Sequence, residues 1–163
     1  MEFLTWVEQL AFSTWVRESP SLLGYAFILT LHTIGLGIVV GISIVLDVRM
    51  LGFAQGVTIA PLERFFPILW IGFWLNALSG VILLMADATT KMTNYMFYIK
   101  MALLALAVWN TLIIRKRVFH GGGDSERLPP NAKQLAWMSI GLWIAATTAG
   151  RLMAYTGPVS GLK

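Results

Sequence analysis

The chain has no cysteine. That removes disulfides, thiolate metal sites, iron–sulfur clusters and covalent c-type haem attachment together. Charge is scarce: 12% of the 163 residues are Asp, Glu, Lys or Arg, about half the share in an ordinary soluble domain. No P-loop, G-x-S-x-G elbow or H-E-x-x-H helix occurs, so phosphoryl transfer, acyl transfer and zinc hydrolysis have no motif to rest on. Histidine is limited to His32 and His120. What the chain has is apolar surface. Hydrophobic residues make up 57% and mean hydropathy is +0.72, a composition that requires an apolar solvent.

The length, 163 residues, allows one domain containing four membrane spans of about 20 residues each. The expected fold is therefore an all-α integral membrane four-helix bundle over residues 1–163. The N-terminus carries Glu2 and Glu8 where a secretory signal would need basic residues, so it reads as retained. Phe3, Trp6, Val7, Leu10, Thr14 and Trp15 recur at helical spacing, which predicts an amphipathic interfacial helix over residues 2–16. Ser19 and Pro20 read as a helix start. Spans are expected at about residues 22–46, 68–86, 97–114 and 135–155, with a flexible linker from Gly121 to Asn131. The loops after spans one and three hold Arg49, Arg64, Arg115, Lys116, Arg117, Arg127 and Lys133. The opposite side holds Arg17, Lys91, Lys100, Arg151 and Lys163. The excess places the first set in the cytoplasm and both termini outside it. Most basic residues flank apolar segments, which argues against a nucleic-acid partner and for the lipid bilayer as the partner of these charges.

Ionisable groups inside a span are costly to insert, so each is a functional candidate. His32 lies ten residues past Leu22, about 15 Å deep at ~1.5 Å per residue, near the midplane. It reads either as a neutral imidazole bonded to a neighbouring helix or as an axial ligand for haem. Gly35, Gly37 and Gly41 follow and let a helix or a flat ligand approach closely. At ~100° per residue, Tyr25, Val39 and Ser43 fall near the angular position of His32, a stripe facing the interior. Lys100 and Arg151 sit about 4–6 Å inside the outer ends of spans three and four, where they reach haem propionates or snorkel to headgroups.

His120 follows a basic cluster and lies at the wrong depth for a second ligand. Met85, Met101 and Met153 sit near the outer edge and read as packing. Asn76, Ser79, Asn110, Thr147 and Thr148 line a polar cavity or stitch helices, with stitching the default. Trp74, Trp109 and Trp143 read as core packing more readily than as walls for a flat ligand. Asp47 and Arg49 are expected in a charge network with Glu63 and Arg64 beyond span one.

The strings from Leu31 to Gly37 and Leu46 to Gly52 resemble a family of small, uncharacterised bacterial four-helix membrane proteins. Trp70 to Leu84, Phe97 to Asn110 and Gly150 to Tyr155 do the same. The resemblance implies a bacterial inner membrane and no particular activity. A weaker similarity, at His32, Arg49 and Lys100, is to HemJ-type protoporphyrinogen oxidases and CopD-like proteins. It implies haem at His32, although Trp109 and Asn110 depart from that pattern at the end of span three.

The expectation is thus a membrane protein binding one haem b or related tetrapyrrole. His32 would be the metal ligand, Lys100 and Arg151 the propionate contacts, and Tyr25 and Gly35 further members of the site. Its role would be electron transfer or porphyrin oxidation, with a membrane or periplasmic redox partner. A homo-oligomer would form through the glycine face of span one. The competing expectation is a non-catalytic membrane subunit with no cofactor.

Overall fold

The computed structural model describes residues 2–54, 56–119 and 128–156. His120, Lys163 and the expected linker from Gly121 through Arg127 lie outside the described residues. Every regular element among the described residues is helical.

The N-terminal segment forms two short helices, α1 (Glu2–Gln9) and α2 (Ala11–Glu18), where one was expected. The break is at Leu10, whose ψ of 138° is extended. Glu8 explains where this arm rests. Its carboxylate accepts from the Thr89 backbone N–H and the Thr89 hydroxyl, both at 2.7 Å. These bonds hold α1 against α5 (Ala88–Met92). The other face shows two stacked aromatic pairs, Phe3 with Trp6 and Phe12 with Trp15. Ser19 and Pro20 do not start a helix. The Ser19 amide donates to Trp15 O and closes α2, and the chain turns through Ser21 to Gly24 before the next helix.

That helix, α3, runs over 27 residues, Tyr25–Leu51. Gly52 stops it at φ 95°, a left-handed cap that costs glycine nothing and other residues a Cβ clash. A 3-10 turn, Ala60–Arg64, with proline in its first turn, leads into α4 (Phe65–Ala86). Lys91 donates to Leu83 O, satisfying a carbonyl at the end of α4 that has no partner inside the helix. Asn94 caps α6 (Tyr95–Ile114) by accepting from Met96 N at 3.0 Å. It also ties α6 to the far end of α7 (Ala132–Leu152) by donating to Met153 O. A π turn, Arg115–Phe119, extends α6.

The four long helices pack as α4 on α3, α3 on α7 and α7 on α6. One apolar layer joins Val39, Leu69, Ala107 and Trp143, one from each long helix. A second joins Met50, Ile114, Leu135 and Ala136 at the other end. Outside these layers the helices stay apolar. On α4, Ile71, Trp74, Leu78 and Val81 are all more than half exposed, and at spacings of three and four they form one outward ridge. Three helices are long and apolar enough to cross a membrane: α3, α4 with its leading turn, and α6 with its π turn. The fourth span expected, now α7, falls outside that group. Its tryptophans, threonines and glycines, with Lys133 and Arg151, dilute its hydropathy.

Candidate functional site

His32 stands seven residues into α3, about 10 Å along its axis, because the helix begins at Tyr25 and not at Leu22. Its ring lies on α4. Nδ1 is 2.9 Å from Asn76 O and 3.2 Å from Ser79 Oγ. A carbonyl only accepts, so Nδ1 carries the proton. The Ser79 hydroxyl donates to Leu75 O at 2.6 Å, leaving its lone pairs for the same N–H. In return, Asn76 Nδ2 donates to His32 O at 2.7 Å. Gly80 makes the approach feasible: a Cβ there would sit 3.1 Å from the imidazole Cε1. With Nδ1 protonated, Nε2 is the nitrogen with a free lone pair, and no protein group bonds to it among the described residues.

The imidazole forms one wall of a partly open cavity of about 280 Å³ lined by residues of all four long helices. Asn76, Lys100, Trp143, Thr147 and Arg151 supply much of the rest, with Leu29, Leu36 and Leu104 as apolar lining. Lys100 lies five residues into α6, and its Cδ and Cε would be 3.5 Å from a Cβ on Gly150. Its stem therefore runs across the α7 backbone beside Arg151. Lys91, on α5, adds to the positive field. Its ammonium is pushed below the usual lysine range by burial and by repulsion from Lys100, with Asp87 opposing the shift. Lys100, Arg151 and the His32 imidazole thus line a slot with mostly apolar walls, and Lys91 stands outside its lining.

His32, Lys100 and Arg151 line one cavity, and Tyr25 and Gly35 are not part of its lining. Tyr25 opens α3 and is 41% exposed. Gly35 does not make room for a ligand, because a Cβ there would meet Asn76 N at 2.6 Å and Gly72 O at 2.8 Å. It marks, with Gly72, a close approach of α3 to α4. A methyl group added at Gly37 or Gly41 would meet no described atom within 4 Å, so both glycines face outward.

Trp143 is buried, whereas Trp74 and Trp109 are 59% and 66% exposed and do not pack the core. Arg49, in the last turn of α3, donates to Val57 O and ties the helix end to the following loop. Asp47 takes no part in a surface charge network: it is fully buried and neither carboxylate oxygen has a hydrogen-bond partner among the described residues. The sequence reading missed Ser79 and Gly80 as neighbours of His32, although Asn76, Ser79 and Gly80 recur at the spacing of one helical face.

The donor set bears on what the slot holds. No group of three His, Cys, Asp or Glu side chains converges among the described residues, so a bare metal ion would lack protein ligands. A tetrapyrrole brings four ligands with its metal and needs one axial nitrogen from the protein. A histidine whose Nδ1–H is fixed by a backbone carbonyl is oriented as metal-ligating histidines are. Lys100 and Arg151 offer charge for two carboxylates. The residues fit such a group. The cavity would enclose part of it, with the remainder reaching toward the exposed Thr33 and Arg151. No family model, curated protein or solved structure matches this chain.

Proposed function

We propose that the protein is a four-span protein of a bacterial inner membrane, with both termini outside the cytoplasm, that binds one haem b or related tetrapyrrole through His32. The observation that carries this reading is the fixed Nδ1–H of His32, which leaves Nε2 as a ligand atom on a wall shared with Lys100 and Arg151. Lys100 and Arg151 would hold the propionates. Bound there, the group would supply one-electron redox chemistry for electron transfer to a membrane or periplasmic partner, or for porphyrin oxidation. The residues around it orient the imidazole, neutralise carboxylates and keep the apolar ring from water. The similarity at His32 and Lys100 to the HemJ-type pattern points the same way. Arg49 does not contribute, since it serves the opposite end of α3. The fourth span is argued from α7 itself: Trp137 and Ile144 are both 63% exposed, an outward apolar face that lipid would cover.

A specific observation also favours the competing role of a subunit without cofactor. The reciprocal pair between His32 and Asn76 staples α3 to α4, and interhelical bonding is the ordinary use of polar side chains in membranes. Absorption spectra separate the two. Protein purified in mild detergent from haem-sufficient cells should show a Soret band at about one haem per chain by pyridine haemochrome. The band should vanish in His32→Ala. Protein that stays colourless after haem is added would leave the staple as the function of His32.

A further inference from the structure

Among the described residues, Asp47 is the one acidic side chain buried within the four long helices. It is 0% exposed, and Oδ1 and Oδ2 both lack a hydrogen-bond donor. Its level in the fold follows from its neighbours. Met50, one turn onward, packs with Ile114, Leu135 and Ala136. Asn110 is one turn before Ile114, and Ser139 is one turn beyond Leu135. Asp47, Asn110 and Ser139 therefore share a layer contributed by α3, α6 and α7. The Ser139 hydroxyl lies beside the Asp47 carboxyl without closing a bond of ordinary geometry.

Asn110 is 1% exposed; its Nδ2 donates to Leu135 O at 3.0 Å, while its Oδ1 also lacks a donor. The other polar side chains at this level are already committed. Ser43 donates to Val39 O and Thr111 to Ala107 O. Of the charged groups at this end, Arg115 stands over the Phe66 ring, Arg49 donates to Val57 O, Lys116, Arg117 and Lys133 are exposed, and Glu63 and Arg64 lie on the 3-10 turn. Burial and the Ser139 hydroxyl are the influences on Asp47, and no cation among the described residues offsets its charge.

Three acceptor atoms in one buried layer thus lack a positive partner, and an unpaired carboxylate in that setting is strongly disfavoured. One proton removes the whole deficit. We infer that the layer of Asp47, Asn110 and Ser139 is an intramembrane proton-binding site. In its loaded form the Asp47 hydroxyl donates to Asn110 Oδ1, and the free Asp47 oxygen accepts from Ser139. With the Asn110 amide bonded to Leu135 O, a continuous chain links α7 to α3, α3 to α6 and α6 back to α7. Loss of the proton breaks that chain and leaves a buried charge, so packing of α7 is coupled to pH. This inference does not depend on a tetrapyrrole at His32.

The test is infrared spectroscopy of full-length protein with its aspartates carboxyl-labelled with carbon-13, at neutral pH in detergent. A protonated carboxylic carbonyl band is expected, lost in Asp47→Asn and retained in Asp87→Asn and Asp124→Asn, which remove the other two aspartates. Asn110→Ala should shift the band, because the acceptor of the acid hydroxyl is gone. Thermal midpoints should fall for the wild type as pH rises into the alkaline range and stay level for Asp47→Asn. If Asp47→Asn does not fold, a band that survives both Asp87→Asn and Asp124→Asn assigns the proton to Asp47. A carboxylate signal alone, or wild-type stability that follows sodium concentration and not pH, would overturn the inference.

Discussion

Single residues decide how closely α3 and α4 approach, and His32 and Gly35 lie on the same contact. Counting depth along the spans was enough to place His32, Lys100 and Arg151 at compatible levels, because helical rise is nearly constant. Angle around the helix was less informative. It shows which residues share a face but not what that face meets, so Tyr25 and Gly35 were assigned to a ligand and the structure gives them to the surface and to helix packing. Gly35→Ala should destabilise the protein by about 1–3 kcal/mol, because its methyl would press on α4 backbone, which cannot rotate away. Gly37→Ala and Gly41→Ala meet open space and should be neutral or stabilising by up to about 1 kcal/mol. Thermal unfolding in detergent ranks them. A changed oligomeric state in the two outward variants would mark that face as a contact between copies. Asn76→Leu removes the side-chain half of the staple to His32 and should cost about 1–2 kcal/mol at membrane hydrogen-bond values. Haem retention should be largely kept, because the carbonyl that orients the imidazole N–H is backbone and remains in the variant.

Among the elements, the N-terminal arm is the least anticipated. Its amphipathic spacing was visible, but the break at Leu10 was not, because nothing in the local sequence forbids a continuous helix there. The reason for the arm's position lies 81 residues away, in the grip of Thr89 on Glu8. Burial alone would raise the Glu8 carboxyl. The Thr89 N–H and hydroxyl, the Arg17 charge and the Ala88 N–H outweigh burial and hold it below its ordinary value of 4.5. A carboxylate lowered on docking stabilises the docked arm above that value. The contribution is lost as pH falls from 4.5 through the lower docked value. Acidification through this window should therefore release α1 from α5, read as a change in Trp6 fluorescence. Glu8→Ala should loosen the arm at neutral pH by about 1 kcal/mol, a charge-assisted value discounted for partial exposure, and abolish the acid transition.

At the scale of the whole molecule, the proposal of four spans turns on α7, which is less apolar than the three helices long and apolar enough to cross a membrane. Its packing against α3 and α6 requires it to run alongside them. Its outward Trp137 and Ile144 require apolar surroundings over that length. Arg151 lies at the second to last position of α7, where a long cationic side chain reaches the interface at little cost. The lack of native cysteine makes topology directly measurable, since each introduced thiol is the only one present. Thr58→Cys, between α3 and α4, and Pro130→Cys, just before α7, should react with a membrane-impermeant maleimide only after the inner membrane is opened. Ser19→Cys, Thr93→Cys and Tyr155→Cys should react in intact spheroplasts. Pro130→Cys and Tyr155→Cys are the decisive pair, since they bracket α7. Reaction of both from the same side would lay α7 along the interface. The slot around His32 would then be open on the face that α7 closes, and Arg151 would no longer stand beside Lys100.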